Sequence, residues 1–175
     1  MKIHCKVNGT QVELDASPDE MLLEVLRREL ALKSVRATCG VGICGACTAL
    51  INGAPISTCI FLAPLAEACE ITTVEGLGGE HPVQQAFEAE HAFQCGYCTP
   101  GMILTIKALL EENPHPTDEE IKLALGGNLC RCGCYIKIIN AAKTVGAPLI
   151  GARPAHHTRQ NQHASDRDAK GACNM

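Results

Sequence analysis

Residues 38–47 read TCGVGICGAC, and this short run of cysteine and glycine decides how the rest of the chain is interpreted. A fourth cysteine follows after a gap of 11 residues, so the spacing is Cys-x4-Cys-x2-Cys-x11-Cys. The four residues are Cys39, Cys44, Cys47 and Cys59. The first two gaps match the plant-type ligand spacing for a 2Fe–2S cluster. The sequence therefore predicts that these four thiolates bind such a cluster.

Glycines alternate with the cysteines of this loop, at Gly40, Gly42 and Gly45. Three ligands from one loop must converge on a small anionic cluster, and glycine permits the positive φ angles and close backbone approach that this requires. The N–H groups of such a loop can donate to the sulfurs and tune the potential. The alternative is a structural zinc site. Zinc sites favour paired Cys-x2-Cys spacing, whereas here three ligands are clustered and one is remote.

A second set of cysteines has the form Cys95-x2-Cys98, then 31 residues, then Cys130-x-Cys132. Pro100 suits the first turn of a helix. Thiolates just before a helix meet its free N–H groups and the positive end of its dipole, which favours anionic sulfur. Four cysteines serve zinc as well as an iron–sulfur cluster, so this set alone leaves both open. Beside the first set the iron interpretation gains weight, because two clusters would make a short relay.

The composition narrows the class of protein. The 175 residues include 15 Lys and Arg against 19 Asp and Glu, a net charge of −4, which predicts no nucleic-acid partner. No apolar stretch reaches about 18 residues, so we expect no direct membrane insertion. The amino terminus lacks the apolar run of a secretory signal, which predicts a cytoplasmic protein. Disulfides are disfavoured there, so the 12 cysteines are interpreted first as metal or redox ligands.

The first half of the chain has an α+β pattern. Two Asn-Gly turns, at 8–9 and 52–53, each separate alternating segments and predict β-hairpins. The predicted strands are Lys2–Val7, Thr10–Leu14, Thr48–Ile51, Ala54–Thr58 and Glu70–Val74. A capping box at 17–20, Ser-Pro-Asp-Glu, predicts the start of a helix whose apolar stripe runs to Leu30.

The second half has a helical pattern. Helices are predicted near 82–91, 100–112, 118–125 and 134–146, with a second capping box at 117–120. A glycine cluster near 76–79 marks the expected domain boundary. The predicted division is a ferredoxin-like domain at 1–76, a helical domain at 77–150 and a disordered tail at 151–175.

Three motifs make the chain recognisable: residues 38–47, the run QCGYCTPGM at 94–102 and the run GNLCRCG at 127–133. Together they resemble the small 2Fe–2S iron–sulfur subunit of the molybdenum hydroxylase (xanthine oxidase and aerobic carbon monoxide dehydrogenase) family, over roughly residues 2–150. The resemblance implies a plant-ferredoxin-like β-grasp domain that carries the first cysteine set. It also implies a four-helix-bundle domain that carries the second.

The resemblance also implies a function. A large partner subunit would hold molybdopterin, as the cytosine dinucleotide. Electrons would pass from it through the helical-domain cluster and the ferredoxin-like cluster to FAD on a medium subunit. Gln94 would contact the pterin, and Cys132 would lie against it as well as bind iron. The chain would then be an electron-transfer subunit of an oxidoreductase, in a hetero-oligomer such as a dimer of heterotrimers.

The Cys-x4-Cys-x2-Cys loop argues against a zinc-stabilised interaction module with no redox role, and two other functions remain open at this point. One is a stand-alone two-cluster ferredoxin, in which Gln94 would have no purpose. The other is the same relay feeding a cytochrome partner, although the run at 99–102, Thr-Pro-Gly-Met, resembles the members that contain FAD. Four cysteines are left without a ligand role. We expect Cys5 and Cys69 to be buried apolar residues, Cys134 to serve packing, and Cys173 to lie in the tail without a function.

Overall fold

The structure, a computed structural model, describes residues 1–146 of the chain. The predictions on the tail at 151–175, on Cys173 and on the last four residues of the helical domain lie outside this part. Within residues 1–146, none of the helices is long and apolar enough to cross a membrane.

Five strands form one mixed sheet in the order β2-β1-β5-β3-β4. They are β1 (Lys2–Val7), β2 (Thr10–Asp15), β3 (Thr48–Ile51), β4 (Ala54–Ser57) and β5 (Glu70–Thr72). Both hairpins are confirmed as antiparallel pairs, and their Asn-Gly turns have positive φ at both residues, as the tight two-residue turn requires. Strand β5 joins them by pairing parallel to β1 and antiparallel to β3.

Helix α1 (Leu22–Leu30) packs on this sheet through its apolar face. It begins later than the capping box predicts, and that prediction is wrong. The Glu20 side chain does accept from the N–H of Ser17, at 3.1 Å. However, the Glu20 carbonyl accepts from the N–H of Ala63, and the first N–H of the helix donates to the carbonyl of Phe61, both at 2.8 Å. This pairing holds the backbone extended where a helical turn was expected.

Four helices follow: α2 (Pro82–Ala89), α3 (Thr99–Glu112), α4 (Asp118–Ala124) and α5 (Tyr135–Gly146). The capping box before α4 is confirmed, because Thr117 Oγ1 accepts from the N–H of Glu120 and the Glu120 carboxylate accepts from the N–H of Thr117. Apolar side chains of α2–α5 share a second hydrophobic core, separate from that of the sheet and α1.

Helix α3 connects the two halves of the fold. It packs against β3 and β4 on one side and against the other three helices elsewhere. It is accordingly buried along most of its first two turns, as expected of a helix that is apolar on most sides. The mixed α+β class is therefore confirmed, and α3 brings the loops that carry the two cysteine sets together.

Candidate iron–sulfur centres

The first centre combines the loop at residues 39–47 with Cys59, at the far end of the β3–β4 hairpin. The three glycines of the loop have φ between +65° and +75°, as the spacing predicts. The thiols fall into two neighbouring pairs, Cys39 with Cys44 and Cys47 with Cys59, in each of which one thiol shifts the pKa of its partner. The first pair is half-buried and the second is buried.

Backbone N–H groups of the loop stabilise the anionic form of one sulfur, that of Cys39. The N–H groups of Val41 and Cys44 point at Cys39 Sγ and, with the Cys44 thiol, lower the pKa of Cys39 to about 6. The nitrogen of Val41 lies 3.5 Å from that sulfur. Burial, followed by the thiol of Cys47, raises the pKa of Cys59 to about 11. Thiol ligands must lose their protons to bind a metal. The thiol of Cys39 is thus readier to ionise than that of Cys59.

The second centre joins the loop before α3 to the loop before α5. Cys95 Sγ and Cys132 Sγ lie 3.5 Å apart, and both residues are exposed. Cys98 and Cys130 are more deeply placed and lie close enough for the Cys130 thiol to raise the pKa of Cys98. The N–H of Cys130 donates to the hydroxyl of Tyr135, the first residue of α5, at 2.8 Å.

At Cys98, which immediately precedes α3, burial and a backbone N–H group act on the thiol in opposite directions. Burial, together with the thiol of Cys130, raises the pKa of Cys98 to about 12. The stabilising N–H groups reach other sulfurs of this centre. The N–H of Tyr97 lowers the pKa of Cys95. Burial alone would raise the pKa of Cys130, but the N–H of Cys134, 3.5 Å from Cys130 Sγ, helps to outweigh it and lower that pKa.

Each centre thus presents its sulfurs as two pairs. Within residues 1–146, no three His, Cys, Asp or Glu side chains form a group that could hold a single metal ion. A structural zinc site draws four ligands onto one ion, whereas a 2Fe–2S cluster shares four ligands between two irons. Two pairs of sulfurs at each centre therefore match the two irons of a 2Fe–2S cluster.

The surroundings of the second centre also fit a bound group. A cavity of about 400 Å³ is bordered by Cys95, Cys98 and Cys130, and reaches Cys44 of the first centre. Directly after Cys98, Thr99 Oγ1 is buried and has no hydrogen-bond partner in the described part of the chain. Buried hydroxyl groups normally have a partner, and the sulfur of a cluster would provide an acceptor here.

The backbone joins the two centres directly. The N–H of Leu129, next to Cys130, donates to the carbonyl of Cys44 with an N···O distance of 2.9 Å. A path from a cysteine of one centre to a cysteine of the other therefore consists of covalent bonds and this one hydrogen bond.

A second contact lies on another side of the two loops. Arg36 donates to the carbonyl of Gly96 at 2.8 Å, and its guanidinium lies 4.7 Å from the centre of the Tyr97 ring, within cation–π range. The Tyr97 hydroxyl donates to the carbonyl of Ala37 at 3.2 Å and accepts from Thr38 Oγ1 at the same distance. The segment before the first centre thus holds the loop of the second.

Gln94 is exposed, immediately before the exposed Cys95. Cys5 and Cys69 are both 1% exposed and belong to the core of the sheet, which confirms their predicted burial. Cys134 packs against the helical core, but its N–H and its thiol also contact Cys130, which the packing interpretation did not anticipate.

Sequence reasoning missed the residues that hold the two centres together, above all Arg36 and Asn128. Asn128 belongs to one of the three motifs quoted above, and that motif was the available signal. Arg36 stands three residues before Cys39 without any pattern of its own. Their partners lie 60 and 83 residues away, so no local periodicity records either contact.

Comparison with known proteins agrees with this division of the cysteines. A 2Fe–2S iron–sulfur cluster binding domain matches residues 5–71, and a [2Fe–2S] binding domain matches residues 73–143.

Similar proteins extend over nearly the same length. A nicotinate dehydrogenase subunit from Pseudomonas putida is 50% identical over 146 residues, which cover 81% of this chain and 92% of that protein. The nicotinate dehydrogenase small FeS subunit of Eubacterium barkeri is 49% identical over 144 residues, with the same coverage. Among solved structures, quinoline 2-oxidoreductase from Pseudomonas putida 86 is 42% identical, with a TM-score of 0.79 over 83% of this chain and 92% of that chain.

Proposed function

The chain belongs to the family of small iron–sulfur subunits of the molybdenum hydroxylases, and we propose that it carries electrons from a molybdopterin centre on a large partner subunit to FAD on a medium one. The observation that carries this proposal is the direct backbone connection between two four-cysteine centres. Each 2Fe–2S cluster, when bound, accepts and releases one electron at a time.

Eight cysteines are proposed to hold the two clusters. In the first centre they are Cys39, Cys44, Cys47 and Cys59, and in the second Cys95, Cys98, Cys130 and Cys132. In the proposal each neighbouring pair of thiols holds one iron, and the 3.5 Å distance between Cys95 Sγ and Cys132 Sγ supports this. The N–H groups that converge on Cys39 and Cys95 stabilise anionic sulfur and so support ligation there.

The large subunit is proposed to dock on the exposed edge of the second centre. Cys95 and Cys132 reach the surface there, beside Gln94. In the proposal Gln94 contacts the molybdopterin, taken to be the cytosine dinucleotide, and Cys132 lies against its pterin ring. An amide side chain suits this role because it both donates and accepts hydrogen bonds.

The FAD-binding subunit is proposed to dock at the first centre. Three large apolar side chains on or beside that loop are more than half exposed: Val41, Ile43 and Ile60. Ile60 lies beside Gly42, because a Cβ on that glycine would collide with the Ile60 side chain. Exposed apolar groups clustered at one place typically mark a protein interface.

The finer organisation belongs to the same proposal. It comprises a β-grasp domain at 1–76, a four-helix bundle at 77–150, a cytoplasmic location and assembly as a dimer of heterotrimers. The two separate hydrophobic cores support the division into domains.

The test is the composition of the complex purified natively through a tag on this chain. Mass spectrometry is expected to identify a large and a medium subunit, and denaturation to release a pterin and FAD. Recovery of the chain alone with its iron would favour the stand-alone ferredoxin. A haem spectrum in place of FAD would favour the cytochrome relay.

A further inference from the structure

The side chain of Asn128 lies between the loops of the two centres. It is 4% exposed. Its Oδ1 accepts from the hydroxyl of Thr105 on α3 at 3.0 Å, and its Nδ2 donates to the carbonyl of Gly45 at 3.2 Å. Nδ2 also lies 3.5 Å from Thr48 Oγ1, at the start of β3. One buried amide thus joins a helix, a strand and the loop of the first centre.

The backbone around this amide is packed too closely to admit another side chain. A Cβ on Gly45 would collide with the Asn128 amide and with the carbonyl of Gly127. A Cβ on Gly101, in the first turn of α3, would collide with the carbonyl of Gly45. The contact is therefore made by backbone and by Asn128, and small movements of either loop are resisted.

The position of the contact relates it to electron transfer. Gly45 follows Cys44, and Asn128 precedes Leu129, whose N–H donates to the carbonyl of Cys44. The bond from Asn128 to Gly45 and the bond from Leu129 to Cys44 are therefore adjacent links between the same two loops. A change in the first would loosen the second, which is the hydrogen bond on the path between the centres.

We propose that Asn128 is a positioning residue that fixes the distance and orientation between the two iron–sulfur clusters, and with them the rate of electron transfer from one to the other. The inference rests on the proposed function, since it requires a cluster in each centre. The step it controls oxidises one cluster by one electron and reduces the other by one electron, without making or breaking a covalent bond.

An amide is the group that these neighbours require. Thr105 presents a donor and Gly45 an acceptor, so the side chain must accept at one end and donate at the other. Asn128→Asp keeps the shape but turns a carboxylate oxygen towards the Gly45 carbonyl, which has no hydrogen to donate. Asn128→Ala removes both bonds and leaves a gap.

The experiment compares Asn128→Ala with a matched control in the complex purified through this chain and fully reduced. Pulsed electron paramagnetic resonance measures the dipolar splitting between the two reduced clusters, which depends on their distance and orientation. The control is Thr58→Val, because Thr58 is also fully buried and its hydroxyl donates to the carbonyl of Cys47, at 2.8 Å. That variant loses a buried hydrogen bond at a cysteine of the first centre but none between the loops.

We expect Asn128→Ala to keep the iron content of the wild type while the wild-type splitting is lost and internal electron transfer slows. Thr58→Val is expected to keep that splitting. An unchanged splitting in Asn128→Ala at full iron content would overturn the inference, and so would an equal change in both variants. If Asn128→Ala loses iron, the milder Thr105→Val decides, because it frees only Oδ1; a wild-type splitting there would also overturn the inference. Absence of two clusters from the wild type would contradict the proposed function instead.

Discussion

The first centre takes three of its four cysteines from one loop of nine residues, whereas the second joins two cysteine pairs that 31 residues separate. The glycines and N–H groups of one loop shape the first, and the packing of α3 and α5 assembles the second. Each centre has a more buried pair of sulfurs, the inner pair, and a more exposed pair, the outer pair. The outer pair is exposed in the second centre and only half-buried in the first. The two centres thus reach the same paired arrangement, one through the local conformation of a loop and the other through the packing of helices. Different substitutions should therefore disrupt each centre.

The largest expected effect separates the two centres by their ligands. Cys44→Ser and Cys130→Ser are each expected to lower the iron content from about four to about two per chain, since each centre is proposed to hold two irons. Each variant is expected to lose only the paramagnetic resonance signal of its own centre. In Cys44→Ser, turnover through FAD is expected to stop while molybdenum remains bound. Turnover that survives without the first cluster would contradict the linear relay.

A smaller effect, on the free energy of unfolding, distinguishes the backbone conformation of the first centre's loop from its contact with the loop of the second centre. Gly40 and Gly45 both have positive φ, but no atom lies within 4 Å of a Cβ placed on Gly40. Gly40→Ala is expected to lower the free energy of unfolding by about 1–2 kcal/mol, from backbone strain alone. Gly45→Ala adds a collision, which costs a further ~1–3 kcal/mol. Thermal unfolding of the two variants measures the difference, and equal midpoints would count against a tight contact at Gly45.

Gln94→Ala sharpens the comparison at the exposed edge of the second centre. Both clusters are expected to persist, because Gln94 lies on the surface. Pterin content is expected to fall, or the first electron step to slow. Gln11→Ala serves as a control, since Gln11 is an exposed glutamine on β2. Wild-type pterin content and reduction rate in Gln94→Ala would remove this residue from the site.

The smallest effect is a pH dependence at the junction between the halves. Burial alone would raise the pKa of Glu75, but hydrogen bonds from the Ser34 hydroxyl, the Thr73 hydroxyl and the Ser34 N–H outweigh it and lower that pKa. A carboxylate with a lowered folded-state pKa stabilises the fold at neutral pH, and this is lost as the pH falls through that pKa.

Glu75→Gln is therefore expected to destabilise the chain at pH 7, by no more than about 1 kcal/mol because the group is partly solvated. The difference from the wild type should disappear at a pH below the lowered folded-state pKa, where the carboxylate is protonated in both states. Chemical unfolding at the two pH values checks this. A difference that persists in acid would assign the effect to shape instead of charge.

Sequence predicted the parts of the molecule that local patterns encode. Cysteine spacing found both sulfur sets, the two Asn-Gly turns found both hairpins, and Thr117 with Glu120 marked the start of α4. These features depend on residues a few positions apart. The positive φ of the first loop follows from the same kind of pattern.

The remaining features depend on distant partners. The capping box at Ser17 failed because residues 61–63 pair with the backbone where the helix was expected to start. The burial of Cys98, which opposes the N–H group at the start of α3, depends on the packed structure and leaves no local signal in the sequence. Gly45 was interpreted as a loop glycine for the cluster, although it must also admit Asn128, 83 residues away.

The most direct measurement is the metal content of the complex purified natively through this chain. We predict about four irons for each molybdenum, as two 2Fe–2S clusters per molybdenum require, and no zinc. Zinc in place of iron would contradict both redox centres, and iron without molybdenum in an intact complex would contradict the relay from a molybdopterin subunit.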